Sequence, residues 1–124
     1  TDQPINAQGL LHPIHRFNDN YYLVAREGDT FKSLSKEVDI SWRKLARYNE
    51  RDKHDVLHKG DIIYLKKKRK KAPKQYKKRP HVVQAGESMY TIAQKYGIRI
   101  ESLYKMNKLM PSYQIRIGDK LRVR

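Results

Sequence analysis

The chain has no cysteine among its 124 residues. No disulfide reinforces whatever core it builds, and its absence says nothing firm about compartment. Long apolar runs are missing too. Nothing approaches the roughly 18 consecutive apolar residues a membrane span requires. Neither a signal peptide nor an initiator methionine stands at the start, so the chain reads as a processed or excised piece of a longer protein. Glycine-rich phosphate loops are absent. Ser, His and Asp all occur, but no turn marks a nucleophile. No pair of carboxylates has an apolar setting. These absences argue against an enzyme and leave a binding surface as the place to look for function. No cofactor is implied.

Acids are scarce: 13 Asp and Glu stand against 28 Lys and Arg, for a net charge of +15. That excess suggests a nucleic-acid binder until it is divided along the chain. Residues 1–21 hold one basic and two acidic groups, and residues 22–65 hold nine and eight. Residues 81–124 hold eight and three, whereas residues 66–80 hold ten basic groups and no acid. Most of the excess therefore belongs to one segment, Lys66–Pro80. It is interrupted by prolines and has almost nothing apolar to bury, so it reads as an extended tether.

A repeat is present. Shifted by 58 residues, the chain matches itself without a gap: Val24 meets Val82, Gly28 meets Gly86, Ile40 meets Ile98 and Leu45 meets Leu103. Asn49 meets Asn107, and Gly60-Asp61 meets Gly118-Asp119. Identities fall at turns and on apolar faces, where a shared fold needs them. The division is therefore an irregular arm (1–21), module 1 (22–65), the basic linker (66–80) and module 2 (81–124). Modules of about 44 residues lie near the lower limit for a self-sufficient core.

Each module reads as strand, helix, helix, strand. In module 1 a strand over Tyr22–Arg26 leads to a turn at Gly28, then to Thr30 as a helix N-cap. Phe31, Leu34, Ser35 and Val38 recur at helical spacing, as do Met89, Ile92, Ala93 and Tyr96. Gly97 suits a left-handed helix end, and Asp39 tolerates one. Ser41 is a good N-cap for a second helix with Trp42, Leu45 and Ala46 on its stripe; Arg99 is the poorer counterpart. Asn49 and Asn107, at the ends of these helices, read as anchors from side chain to backbone. Closing strands fall near Ile62–Leu65 and Lys120–Val123. In the arm, Leu10, Leu11, Ile14 and Phe17 are candidates to pack on module 1. His12 and His15 lie three apart, and His54 and His58 flank Asp55. Neither pair has a third ligand at suitable spacing, so no metal site is assigned.

With the stretch Val-Gln-Ala-Gly-Glu-Ser-Met-Tyr-Thr-Ile-Ala at 83–93, Leu-Tyr-Lys-Met-Asn at 103–107 and Ile-Gly-Asp-Lys-Leu at 117–121, module 2 resembles a LysM (lysin motif) domain. Module 1 resembles it through Glu-Gly-Asp-Thr-Phe at 27–31, Leu-Ala-Arg-Tyr-Asn at 45–49 and Lys-Gly-Asp-Ile-Ile at 59–63. The resemblance implies an α+β fold of two βααβ modules, each with two helices packed on a two-stranded antiparallel sheet. It also implies binding of N-acetylglucosamine-containing glycan, peptidoglycan or chitin, through two loops at one end. Carried onto module 2, these loops supply Gly86, Glu87, Ser88 and Met89 and, facing them, Met110, Pro111, Ser112, Tyr113, Gln114 and Ile115. In module 1 they are Gly28, Asp29, Thr30 and Phe31 with Asp52, Lys53, His54, Asp55, Val56 and Leu57. An N-acetyl group needs an apolar site for its methyl and backbone partners for its amide, and these residue types can offer both. The loop of module 1 departs from the family pattern: it is charged and lacks the proline that module 2 has at 111. A structural, non-binding copy is thus the competing reading of module 1.

Two functions compete. One is non-catalytic glycan binding that anchors a larger extracytoplasmic protein, such as a wall hydrolase of glucosaminidase type. The other is polyanion or nucleic-acid contact through 66–80. Oligomeric state is not legible in the sequence.

Overall fold

The computed structural model describes residues 11–124, and the chain divides after Lys67 into two compact units. Unit 1 contains β1 (His15–Phe17), β2 (Asn20–Val24), α1 (Phe31–Val38), α2 (Trp42–Tyr48) and β3 (Ile62–Tyr64). Unit 2 contains β4 (His81–Val82), α3 (Met89–Tyr96), α4 (Ile100–Met106) and β5 (Lys120–Leu121). The class is α+β, as the repeat predicts, and each unit carries the strand–helix–helix–strand core.

The same bonds shape both units. Thr30 and Ser88 each close a capping box with the residue three positions on, Ser33 and Thr91. Each first helix stops at a left-handed residue, Asp39 at φ 57° or Gly97 at φ 67°. Asn49 is wholly buried and binds in two directions. Its amide donates to Leu45 O and Tyr64 O, and its carbonyl accepts from Tyr64 N–H at 2.6 Å. Asn107 repeats the pattern with Leu103 and Arg122. The asparagine thus clamps the end of the second helix to the closing strand, which is a longer reach than a loop anchor. Ser41, by contrast, makes no side-chain cap, and neither does Arg99. Both second helices start uncapped.

Leu23, Phe31, Leu34, Leu45 and Ile63 form the heart of the core of unit 1. Val83, Ile92, Ile98, Leu103 and Leu121 do so in unit 2. Burying each such side chain contributes about 1.5–3 kcal/mol, which is how so small a body holds together.

Two expectations are corrected. Residues 15–24 are not irregular: β1 pairs antiparallel with β2, so the sheet of unit 1 has three strands in the order β1-β2-β3. The connecting Asn18 and Asp19 both have positive φ, at 52° and 56°, as a two-residue hairpin turn demands. A three-residue strand is too short to show a period. Leu11 and Ile14 are exposed, and Leu10 lies outside the described residues.

The second correction concerns the basic segment, which is not a free tether from Lys68 onward. Arg69 pairs with the turn between α3 and α4: its N–H donates to Gly97 O, and its carbonyl accepts from Arg99 N–H at 2.9 Å. Lys68 is buried, bonds to Gln94 Oε1 and lies over the Tyr90 ring. Ala72 is fully buried in the core of unit 2. A single turn of 3-10 helix follows at Lys74–Tyr76. Apart from Lys68, the long cationic side chains keep their charges in water while their backbone and one small residue complete a fold.

Candidate functional site

One end of each unit is assembled by matching hydrogen bonds. Ala25 N–H donates to Asp61 O and Gly60 N–H to Ala25 O; Val83 N–H donates to Asp119 O and Gly118 N–H to Val83 O. The ladder between opening and closing strands therefore continues to the start of the glycine turn. That brings the turn beside the end of the long loop. The loop acid is then locked, because Asp61 accepts from His58 N–H and Asp119 from Arg116 N–H. The turn acid is locked likewise: Asp29 accepts from Arg26 N–H and Glu87 from Gln84 N–H. Gly28 and Gly86 take φ 88° and 82°, a region closed to most residues, so both turns need glycine.

Histidine completes each turn, but from a different place in the chain. In unit 1, His12 Nε2 meets Asp29 Oδ2 at 2.6 Å while Nδ1 meets Glu37 Oε1 at 2.8 Å. In unit 2, His81 Nε2 meets Glu87 Oε1 at 2.8 Å while Nδ1 meets the Tyr96 hydroxyl at 2.7 Å. Each imidazole thus ties the turn to the last turn of the first helix. Burial works to raise the Glu87 carboxyl, but the Gln84 N–H and the His81 ring outweigh it and hold the group below its ordinary value. Asp119 is also held low, first by Arg116 N–H and then by the Tyr113 hydroxyl.

In unit 1 the turn and the loop enclose a cleft of about 600 Å³. Gly28, Asp29 and Thr30 form one wall; Lys53, His54, Asp55, Val56 and Leu57 form the other; Lys32 and Trp42 close the side. Lys32 Nζ and Lys53 Nζ lie 5.9 Å and 5.4 Å from the Trp42 ring centre, and His54 meets the ring edge-on. Arg51 organises the loop. Its guanidinium bonds to Asp55 and Asp61 and to Val56 O. Asp52 accepts from His54 N–H. The charges that set this loop apart in the sequence are largely spent on each other.

In unit 2 the Tyr113 hydroxyl donates to Asp119 Oδ2 at 2.8 Å, and Tyr113 N–H donates to Met110 O. Because Asp119 pairs with Val83, Tyr113 lies at the same end of the unit as the Gly86 turn. Met110 is 71% exposed at the loop tip, and Ile115 packs against the core.

The family model described as LysM domain matches residues 24–66 and 81–124. The chain belongs to the LysM domain family. Among curated relatives, the probable peptidoglycan endopeptidase LytE of Bacillus subtilis (strain 168) is 28% identical over 105 residues. The match covers 82% of this chain and 31% of LytE, so the chain spans less than a third of that relative. Among solved structures, the spore cortex-lytic enzyme SleL of Bacillus cereus aligns at 24% identity with a TM-score of 0.36, over 83% of this chain and 22% of that one. SleL of Bacillus megaterium QM B1551 aligns at 18% identity with a TM-score of 0.35, over 82% and 22%.

In the first LysM unit, Gly28, Asp29, Thr30, Val56 and Leu57 line the cleft, but Phe31 does not. As the first residue of α1 it shares the inward face with Leu34 and is fully buried. The Asp29 carboxylate is committed to Arg26 and His12, so it shapes the turn. In the second LysM unit, Glu87 and Ser88 are committed in the same way, to Gln84 and to the α3 cap. Met89 is 5% exposed and belongs to the core. Pro111, Ser112 and Gln114 are exposed on the loop of this unit. Trp42 and Lys32 are cleft residues that the sequence reading missed. Periodicity places Trp42 on the inner stripe of its helix, yet it is only half-buried. The available signal was its counterpart Ile100: an indole where the repeat otherwise has a small aliphatic group.

Proposed function

We propose that the two LysM units bind N-acetylglucosamine-containing glycan, with peptidoglycan as the physiological polymer, and do no chemistry themselves. They hold a larger extracytoplasmic protein, a wall hydrolase, against its substrate. The observation that carries this reading is the cleft of unit 1, where the glycine turn and the long loop meet an aromatic wall. Gly28 lets a sugar amide approach the backbone, Val56 and Leu57 offer a site for an acetyl methyl, and Trp42 offers a flat apolar surface. LytE is, by its name, a probable peptidoglycan endopeptidase, which supports a wall polymer over chitin. Among the described residues no helix is long and apolar enough to cross a membrane.

A shallow cleft of this kind binds weakly, at about 1 mM to some tens of μM per site. Two sites on one chain, facing a repeating polymer, gain through effective concentration. The chain is expected to sediment with insoluble peptidoglycan at low and moderate salt. Recovery in the supernatant under both conditions rejects the reading. Trp42→Ala is expected to weaken binding of N-acetylglucosamine oligomers by unit 1 roughly tenfold, read by NMR titration.

A further inference from the structure

Unit 2 has a concavity away from the glycine turn, built by the segment that composition alone presents as a tether. It encloses about 340 Å³, and its lining includes Tyr76, Lys77, Lys78, Arg79, Arg122 and Arg124. Five cations surround it, and among the described residues no aspartate or glutamate lines it. From this we infer that the cavity is an anion site for a polymer of small polyols joined by phosphodiesters. It shares no residue with the cleft of unit 1 or with the turn and loop at the Gly86 end of unit 2.

The frame is preformed. Tyr76 N–H donates to Pro73 O, Lys77 N–H to Lys74 O and Arg79 N–H to Tyr76 O, so the cationic run is coiled. Ala72 N–H donates to Val123 O, and Arg124 Nη1 donates to Ala72 O at 2.7 Å, fastening that coil to the end of the chain. Leu121 and Val123 point into the core, so the intervening Arg122 and the following Arg124 point outward on the opposite face. Holding five like charges around one hollow is unfavourable when it is empty and favours a multivalent anion. Guanidinium forks suit the tetrahedral oxygens of phosphate, and the lysines add point charge. The backbone is thus already ordered before an anion binds, and only the side chains remain to be fixed.

The cavity favours a polyol phosphate over nucleic acid. Single strands are held by free aromatic faces on which bases stack. The one aromatic in the lining, Tyr76, is half-buried and packs edge-on against Tyr96 at 5.2 Å. The volume lies at the lower end of ligand cavities, room for one short stretch of a slender polymer.

The test is an NMR titration of the full chain with poly(glycerol phosphate), with polyglutamate of equal charge and single-stranded DNA as competitors. Poly(glycerol phosphate) is expected to shift the amides of 76–80 and 122–124. Lys77→Gln with Arg79→Gln, both exposed, should weaken it about tenfold. Lys66→Gln with Lys67→Gln, an equal charge loss outside the cavity, should change it less than about twofold. Titration with N-acetylglucosamine oligomers should be unaltered in both. Equal losses in the two variants overturn the site. Polyglutamate binding as tightly as the phosphate polymer, or DNA binding more tightly at the same amides, overturns the proposed ligand.

Discussion

Asn49 shows how much one side chain can hold. It spans from the end of α2 to β3 with three hydrogen bonds and no solvent access. Asn49→Ala removes a buried partner from the Tyr64 N–H and from its carbonyl, each loss costing about 1–3 kcal/mol. A loss of about 2–4 kcal/mol is therefore expected, measured by urea denaturation of unit 1. The turn acids act through charge. Glu87 is held below its ordinary value in the fold, so it contributes stability above the carboxylate range. That contribution disappears as pH falls through its folded value, which lies below the ordinary glutamate range. Thermal unfolding followed from about pH 6 to about pH 3 should fall less steeply for Glu87→Gln than for the parent chain. Both residues stand out in the repeat, which marks an asparagine and an acid as shared without saying what they bind. Their partners lie on other elements, and the histidines of the two turns have no common position in the repeat.

At the scale of elements, first helices were legible to their ends because capping and termination are local. Thr30, Ser88, Asp39 and Gly97 act within four residues of their own position. The β1–β2 hairpin was not legible: its turn is Asn-Asp without glycine, and its strand is three residues long. The basic segment is the larger case. Its composition argues for a solvated chain, yet Ala72 is buried and Arg69 pairs with the turn at 97–99. Ala72→Asp puts a charge into that core. It should lower the thermal midpoint of unit 2 by well over the roughly 4–8 °C that each kcal/mol is worth in so small a body. Unchanged unfolding would return residues 68–73 to the status of a loose tether.

For the whole molecule the decisive quantity is the uneven charge. Residues 1–67 carry 12 basic and ten acidic groups, whereas residues 68–124 carry 16 and three. Self-repulsion is therefore concentrated in unit 2. Raising ionic strength from about 20 mM to about 200 mM screens it. The expected result is a rise in the thermal midpoint of unit 2 with little change in unit 1, resolved by following amide signals of each through the melt. The same asymmetry separates the two proposed surfaces: acids line the cleft of unit 1 beside its lysines, whereas five cations line the cavity of unit 2.

Sequence alone determined the duplication, the strand–helix–helix–strand order common to both copies, and the two segments that meet at the glycine turn. These follow from spacing, capping and left-handed positions, which are properties of neighbours along the chain. Tertiary structure alone decided that Phe31 and Met89 turn inward while Trp42 turns toward the cleft. It also decided that two unrelated histidines reach equivalent acids, and that a run of lysines folds into a wall of a cavity. Those outcomes depend on contacts between residues up to 52 positions apart, where the geometry of packing has no periodic trace in the chain.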